Sequence, residues 1–226
     1  MLIHGIDPTR VEAAVFDLGG VFLAGGLESV AVFGARHGIA ENAWAAIRRE
    51  LFSDEGLWSA VERGERPLDD FVAHLRNLVA AHGGAVSVED ARDFMQNASE
   101  RAKGCLRHEI VRAAARIHAR IPTALLTNNI PEWRDRWRAL LDADALFDVI
   151  VDSSEVGMRK PEPAIYELTR AQLGVPHDAL FFVDDFGVNL KIARGLGWQT
   201  LRSDDTARVL EVLDAIAAGR PERRRP

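Results

Sequence analysis

Short apolar runs alternate with longer amphipathic stretches along most of this chain, and that alternation limits the folds open to it. The runs are Ala14–Phe16, Ala124–Leu126, Val149–Val151, Leu180–Val183 and, more weakly, Thr200–Leu201. They are rich in β-branched or aromatic residues, which read as strands. Helical spacing of apolar residues covers Arg107–Arg120, Glu132–Leu141, Glu162–Leu173 and Asn189–Leu196. Strands that are apolar on both faces and separated by helices predict an α/β fold, a parallel sheet covered by helices on each side. In such sheets ligands bind beyond the carboxyl ends of the strands.

The window from residue 25 to 100 breaks the pattern. Here apolar residues recur at helical spacing without a strand: Val30, Phe33 and Gly34, then Trp44, Ile47, Leu51 and Phe52, then Phe71, Leu75, Leu78 and Val79. Gly38, Gly64, Pro67 and Gly83-Gly84 divide it into about four helices. Ser87 and Asp90 resemble a helix start. The expected organisation is therefore an α/β core from 1–24 and 101–219, an all-helical cap from 25–100, and a disordered tail at 220–226 without apolar content. Trp44, Phe52 and Trp58 are expected in the cap's own core; the alternative is that they line a cavity between cap and core.

A chain of 226 residues with 47% hydrophobic content can bury one substantial core or a core with a small lobe. A net charge of −6 gives no general attraction for nucleic acid or an anionic membrane, so recognition of phosphate has to be local. The single cysteine, Cys105, excludes an internal disulfide framework and suits a reducing compartment. Asp7 and Pro8 stand where a signal peptide needs an apolar segment, and no run approaches the ~18 apolar residues of a membrane span. A cytoplasmic protein without nucleic-acid or membrane partners is expected; oligomeric state is left open.

Polar residues that carry chemistry fall at the ends of the apolar runs. Asp17 follows Ala13-Ala14-Val15-Phe16 and precedes Leu18-Gly19-Gly20-Val21; Thr127-Asn128 follows Leu125-Leu126; Asp184-Asp185 follows Phe181-Phe182-Val183; Gly157-Met158-Arg159-Lys160-Pro161 lies in a loop. Each has a plain structural alternative. Asp17 could form a turn, Thr127-Asn128-Asn129-Ile130-Pro131 could cap a helix at Glu132, Lys160-Pro161-Glu162-Pro163 could open a helix, and Asp184-Asp185 could be a polar strand exit. One catalytic site accounts for all four together.

In this order the motifs resemble the haloacid dehalogenase (HAD) superfamily, nearest to the subgroup of the N-terminal phosphatase domain of soluble epoxide hydrolase and related sugar-phosphate phosphatases. The resemblance covers nearly the whole chain and implies a Rossmann-like core with a helical cap, acting as a Mg²⁺-dependent phosphatase on a small-molecule phosphate ester. By resemblance Asp17 is the nucleophile, forming an aspartyl-phosphate, and Asp17, the Gly19 carbonyl, Asp185 and Asp184 surround the metal, with Asp184 holding a metal-bound water. Thr127, Asn128 and Lys160 contact the phosphoryl oxygens. Arg159 is divided between a site contact and a solvated loop charge, and Asn189 braces the metal loop.

One position departs from the pattern. Most phosphatases of the superfamily carry a general acid and base two residues after the nucleophile, and here Gly19 has no side chain for either task. Losing such a group costs about 10²- to 10⁴-fold. His37 and Glu28 are conceivable replacements, with surface helix positions the simpler reading. Gly19 also admits a catalytically weakened protein that binds phosphometabolites, and a metal-independent 2-haloacid dehalogenase is a separate alternative, which the intact Asp184-Asp185 pair disfavours.

Overall fold

The structure, a computed structural model, describes residues 1–24, 27–53, 55–92, 94, 106–218 and 220–223. Among these, strands β1 (Ala13–Phe16), β2 (Thr123–Thr127), β3 (Val149–Asp152), β4 (Leu180–Asp184) and β5 (Gln199–Arg202) form one parallel sheet in the order β3-β2-β1-β4-β5. The helices are α1 (Leu27–Arg36), α2 (Glu41–Leu51), α3 (Leu57–Glu62), α4 (Leu68–Ala81), α5 (His108–His118), α6 (Arg134–Leu141), α7 (Ala143–Leu146), α8 (Ser153–Val156), α9 (Pro163–Leu173), α10 (Gly187–Gly195) and α11 (Thr206–Ala217).

The alternation of side chains along each strand builds two cores, one per sheet face. Ala14, Phe16, Leu125, Phe181 and Val183 pack with residues of α5, α6 and α11. Ala13, Val15, Ala124, Leu126, Leu180 and Phe182 pack on the other face with Ile165, Tyr166, Leu190 and Ala193 of α9 and α10. Each fully buried Val, Leu, Ile or Phe contributes about 1.5–3 kcal/mol, so the sheet is held mainly by these two faces.

Helix α11 lies outside the helical stretches expected from sequence. Asp205 caps it by accepting from Ala207 N and Arg208 N at 2.9 and 3.2 Å, and Val209, Val212, Leu213 and Ile216 form its buried face. The tail also differs from expectation in its described part. Arg223 donates to Asp148 Oδ1 and Oδ2 at 3.1 and 2.9 Å and through its backbone to Ala119, while Arg220 donates to the Pro8 carbonyl. Arginine forks find carboxylates and carbonyls without any apolar content, which is why composition does not show this docking.

Helices α1 to α4, with the helical residues 88–92, pack around a third core. Gly38, Gly64 and Gly83 take positive φ at the breaks between them. Ser87 and Asp90 cap reciprocally, with Asp90 N donating to Ser87 Oγ at 2.9 Å and Ser87 Oγ donating to Asp90 Oδ2 at 2.8 Å. Trp44 and Trp58 are buried in this core and Phe52 packs against it, with ring centroids of Trp58 and Phe71 4.9 Å apart. No helix among the described residues is long and apolar enough to cross a membrane.

Candidate active site

The strand order reverses at β1: β2 and β3 lie on one side, β4 and β5 on the other. A crevice opens at that reversal, at the carboxyl edge. Phe16 is in register with Val183, so Asp17, one residue past β1, stands beside Asp184, and its backbone N–H bonds the Val183 carbonyl at 3.0 Å. Thr127, the last residue of β2, reaches the same edge in register with Asp152 of β3.

Lys160 enters from the loop between α8 and α9 and joins the two acids. Its Nζ donates to Asp17 Oδ1 at 2.7 Å and to Asp184 Oδ2 at 2.8 Å, with the side chain buried. The ammonium also lies 5.6 Å from the centre of the Phe182 ring. Two carboxylates at hydrogen-bond distance hold the lysine pKa above its ordinary value against the opposing effect of burial. Burial pushes the Asp17 carboxyl up to about 8; Lys160 pulls it down, while Asp184 and Asp185 push it further up.

Asp184 is saturated by protein donors. Oδ1 accepts from Phe186 N at 2.7 Å, and Asn189 Nδ2 reaches both oxygens at 3.2 and 3.0 Å, in addition to Lys160. Asn189, in the first turn of α10, thus braces this loop as expected. Asp185 differs: its Oδ1 is buried with no hydrogen-bond partner among the described residues, and burial with the neighbouring Asp184 charge raises its carboxyl to about 6. One carboxylate oxygen from each of Asp17, Asp184 and Asp185 lies within 4.8 Å of the others. Three acids, one lysine and an orphaned carboxylate oxygen fit a hard divalent cation such as Mg²⁺.

The glycines after Asp17 play different parts. Gly20 has φ +65°, and a Cβ there would stand 2.3 Å from Asp185 Cγ, so the loop closes on Asp185 only with glycine. Among the described residues a Cβ at Gly19 would meet only Asp17 Oδ2, at 3.9 Å. The space beside the nucleophile candidate is therefore open where an acid side chain is missing.

The expected phosphate contacts are arranged less uniformly. Among the described residues the Thr127 hydroxyl makes only a long contact, 3.5 Å, to the Asn128 carbonyl. Asn128 instead clamps the lysine loop: Nδ2 donates to the Lys160 carbonyl at 2.9 Å and Oδ1 accepts from Lys160 N at 2.8 Å. Neither residue caps the helical segment after Pro131, whose start has no side-chain cap. Arg159 is not a solvated charge; its Nε donates to Glu62 Oε2 of α3 at 2.7 Å. His37 is held by the Ala85 carbonyl at 3.0 Å and the Phe33 ring, and the Glu28 side chain lies outside the described residues.

Several supporting residues had no sequence signal singled out for them. Arg107 Nη1 donates to the Gly20 carbonyl at 2.7 Å, and Ser203 Oγ to the same oxygen at 2.9 Å, pinning the loop after Asp17. Ser153 Oγ exchanges hydrogen bonds with the Asn129 backbone at 2.9 and 3.2 Å, fixing the loop after β2. Contacts between distant loops leave no periodic trace; only the pairing of residue types in space reveals them.

Comparison with protein families matches residues 11–197 to the haloacid dehalogenase-like hydrolases. The chain belongs to this family. Among curated proteins it is 36% identical over 98 residues to bifunctional epoxide hydrolase 2 of Rattus norvegicus, which covers 42% of this chain and 18% of that protein. It is 30% identical over 164 residues to acyl-CoA dehydrogenase family member 10 of Mus musculus, covering 72% of this chain and 15% of that protein. The matched segments are thus a small part of those relatives' lengths. Among solved structures, a HAD-family enzyme from Bacteroides thetaiotaomicron in complex with magnesium and inorganic phosphate superposes with TM-score 0.59 at 20% identity, covering 85% of this chain and 93% of that one. The L-2-haloacid dehalogenase of Xanthobacter autotrophicus with chloropropionic acid covalently bound gives TM-score 0.58 at 21% identity, covering 85% and 77%. Both likenesses establish the HAD-like fold.

Proposed function

We propose that this HAD-like hydrolase is a Mg²⁺-dependent phosphatase that cleaves a small-molecule phosphate monoester through an aspartyl-phosphate at Asp17. The observation that carries the reading is the grouping of Asp17, Asp184 and Asp185, with Lys160 bonded to the first two and the buried Asp185 Oδ1 without a hydrogen-bond partner among the described residues. A dehalogenase of this fold needs no metal, and a second and third acid beside its nucleophile would only add unbalanced charge. A phosphatase needs both the acids and a cation.

Asp17 and Asp185, with the Gly19 carbonyl, would hold the ion, which supplies charge neutralisation for the carboxylates and an attachment point for the phosphate. Asp184, filled by Lys160, Asn189 and Phe186, keeps Lys160 in place while facing the same space. Lys160 favours the ionised Asp17 that attack requires and faces the negative charge of the transferred group. Thr127 offers its hydroxyl to a phosphoryl oxygen, and Asn128 fixes the lysine loop while keeping one amide proton free of Lys160.

Asp17 attacks phosphorus, the ester P–O bond breaks, and the leaving oxygen departs with its electron pair. Water then attacks the acyl-phosphate phosphorus, releasing inorganic phosphate and restoring Asp17. With Gly19 in place of an acid, leaving groups that are stable as anions suffer least. A phosphate-ester panel run with Mg²⁺, with chelator, and with Asp17→Asn tests the reading. Turnover that needs both Mg²⁺ and Asp17 supports it. Dehalogenation that survives chelator would replace it, and phosphate binding without any turnover would make the protein a binding module.

A further inference from the structure

The loop carrying Lys160 is held from outside the α/β core by the end of α3. Glu62 and Arg63 face Arg159 and Glu162, with Lys160 between the latter two. Arg159 Nε donates to Glu62 Oε2 at 2.7 Å, with both side chains almost buried at 13% and 10% exposure, and Arg63 Nη1 donates to Glu162 Oε1 at 3.1 Å. Charge order is reversed across the contact, acid then base on the helical side and base then acid on the core side. Glu62 is further fixed by Trp58 Nε1 at 2.8 Å, and Glu162 Oε2 accepts from Arg159 N at 3.2 Å.

Gly64 completes the fit. It has φ +71°, and a Cβ there would stand 2.6 Å from the Ser154 carbonyl of α8. The backbone of the helical lobe therefore touches the core beside the lysine loop, and no side chain can stand between them.

We infer that Glu62 is a positioning residue for the reaction proposed above: through Arg159 it makes the placement of Lys160 depend on the helical lobe being seated on the core. The Lys160 backbone is clamped by Asn128, and its amine by Asp17 and Asp184. The neighbouring Arg159 is the residue of this loop in the more buried of the two ion pairs to the end of α3. With the lobe displaced, the loop loses that tie, and Lys160 is left to its core contacts with Asn128, Asp17 and Asp184 alone. Seating of the lobe thereby tightens the placement of the ammonium at Asp17. Glu62 acts through Arg159 on the lysine loop, which makes it a positioning residue rather than a catalytic one.

The test is a double-mutant cycle of Glu62→Gln and Arg159→Gln in the full chain, read by turnover of an aryl phosphate and by amide hydrogen exchange. Glu62→Gln should lower kcat about 10- to 100-fold, as loss of a supporting contact around a reacting group does. KM for a small aryl phosphate should change less than kcat. In the Arg159→Gln background Glu62→Gln should have no further effect, because the path is already cut. Exchange at residues 157–162 and at 57–64 should quicken together in each single variant, with a melting temperature showing that the fold is kept. Arg63→Gln, in the more exposed pair, should change kcat less than threefold.

Multiplicative losses in the cycle, or exchange at 157–162 unchanged by Glu62→Gln, would overturn the inference. The exchange reading stands whether or not the protein hydrolyses phosphate esters. Failure of the phosphatase reading would appear as absent turnover in the unmodified chain, with the exchange coupling still present.

Discussion

Replacing Lys160 with methionine isolates the charge balance on which the site depends. The ammonium is buried and lies 2.7 and 2.8 Å from two buried carboxylates, Asp17 and Asp184. Methionine has similar length and no charge, so it fills the space and leaves the acids facing one another and Asp185. Removing one partner from a buried ion pair costs about 3–5 kcal/mol. For a chain of this size each kcal/mol lowers the melting temperature by about 2–4 °C, so a fall of about 6–20 °C is expected without divalent ions at pH 8.

The pH dependence carries the decisive sign. Lys160 is raised above 10.5 in the folded protein, so its own contribution is present throughout the range from pH 5 to pH 8. Asp17 is raised from 3.8 to about 8, so the folded state favours its protonated form. The stability this gives is full below 3.8 and is lost progressively as pH rises to about 8. Lys160 also pulls down the Asp185 carboxyl, which lies at about 6. Without the ammonium both acids resist ionisation further, so Lys160→Met should lose less stability at pH 5 than at pH 8. Differential scanning calorimetry at the two pH values, with and without Mg²⁺, measures it. A variant as stable as the parent at pH 8, or equally destabilised at both pH values, would refute the reasoning.

Other substitutions probe the loop after Asp17 and the cation. Gly19→Asp enters open space beside Asp17 Oδ2, so turnover of alkyl phosphates should rise by about 10²-fold or more while aryl phosphates gain less; equal gains for both in steady-state assays would contradict the missing-acid account. Gly20→Ala places a Cβ 2.3 Å from Asp185 Cγ at φ +65°, so the Mg²⁺ concentration for half-maximal activity should rise about tenfold or more, comparable with loss of a supporting contact at a metal; an unchanged Mg²⁺ titration would show that Asp185 does not hold the ion. In the unmodified protein, Mg²⁺ should raise the melting temperature more at pH 8 than at pH 5. Asp17 and Asp185, raised to about 8 and about 6, must shed protons to bind it. Equal thermal shifts at the two pH values would count against a site made of these acids.

The parallel sheet was readable from sequence because its central strands are buried on both faces, leaving uninterrupted apolar runs such as Leu180–Val183. Asp17, Thr127 and Asp184 were readable because each sits at the carboxyl end of such a run, where the sheet itself puts its ligands. Lys160 could be named but not placed, since its bonds to Asp17 and Asp184 span 143 and 24 residues. Glu62 gave no signal beyond a charged residue at a helix end, and its tie to Arg159 exists only once the helical lobe is folded against the core. Arg107 and Ser203 were missed for the same reason. Helix α11 is different: Val209, Val212, Leu213 and Ile216 repeat at helical spacing after the cap residue Asp205, a pattern the sequence displays openly.

Gly19 leaves no base at that position to activate water against an acyl-phosphate, so the covalent species should form faster than it decays. Rapid acid quench during turnover of an aryl phosphate with Mg²⁺, followed by peptide mass spectrometry, measures that species directly. A phosphoryl group on the peptide containing Asp17, absent with chelator and absent in Asp17→Asn, is the predicted result. Undiminished turnover in Asp17→Asn, with no phosphorylated peptide at any time point, would contradict the central claim.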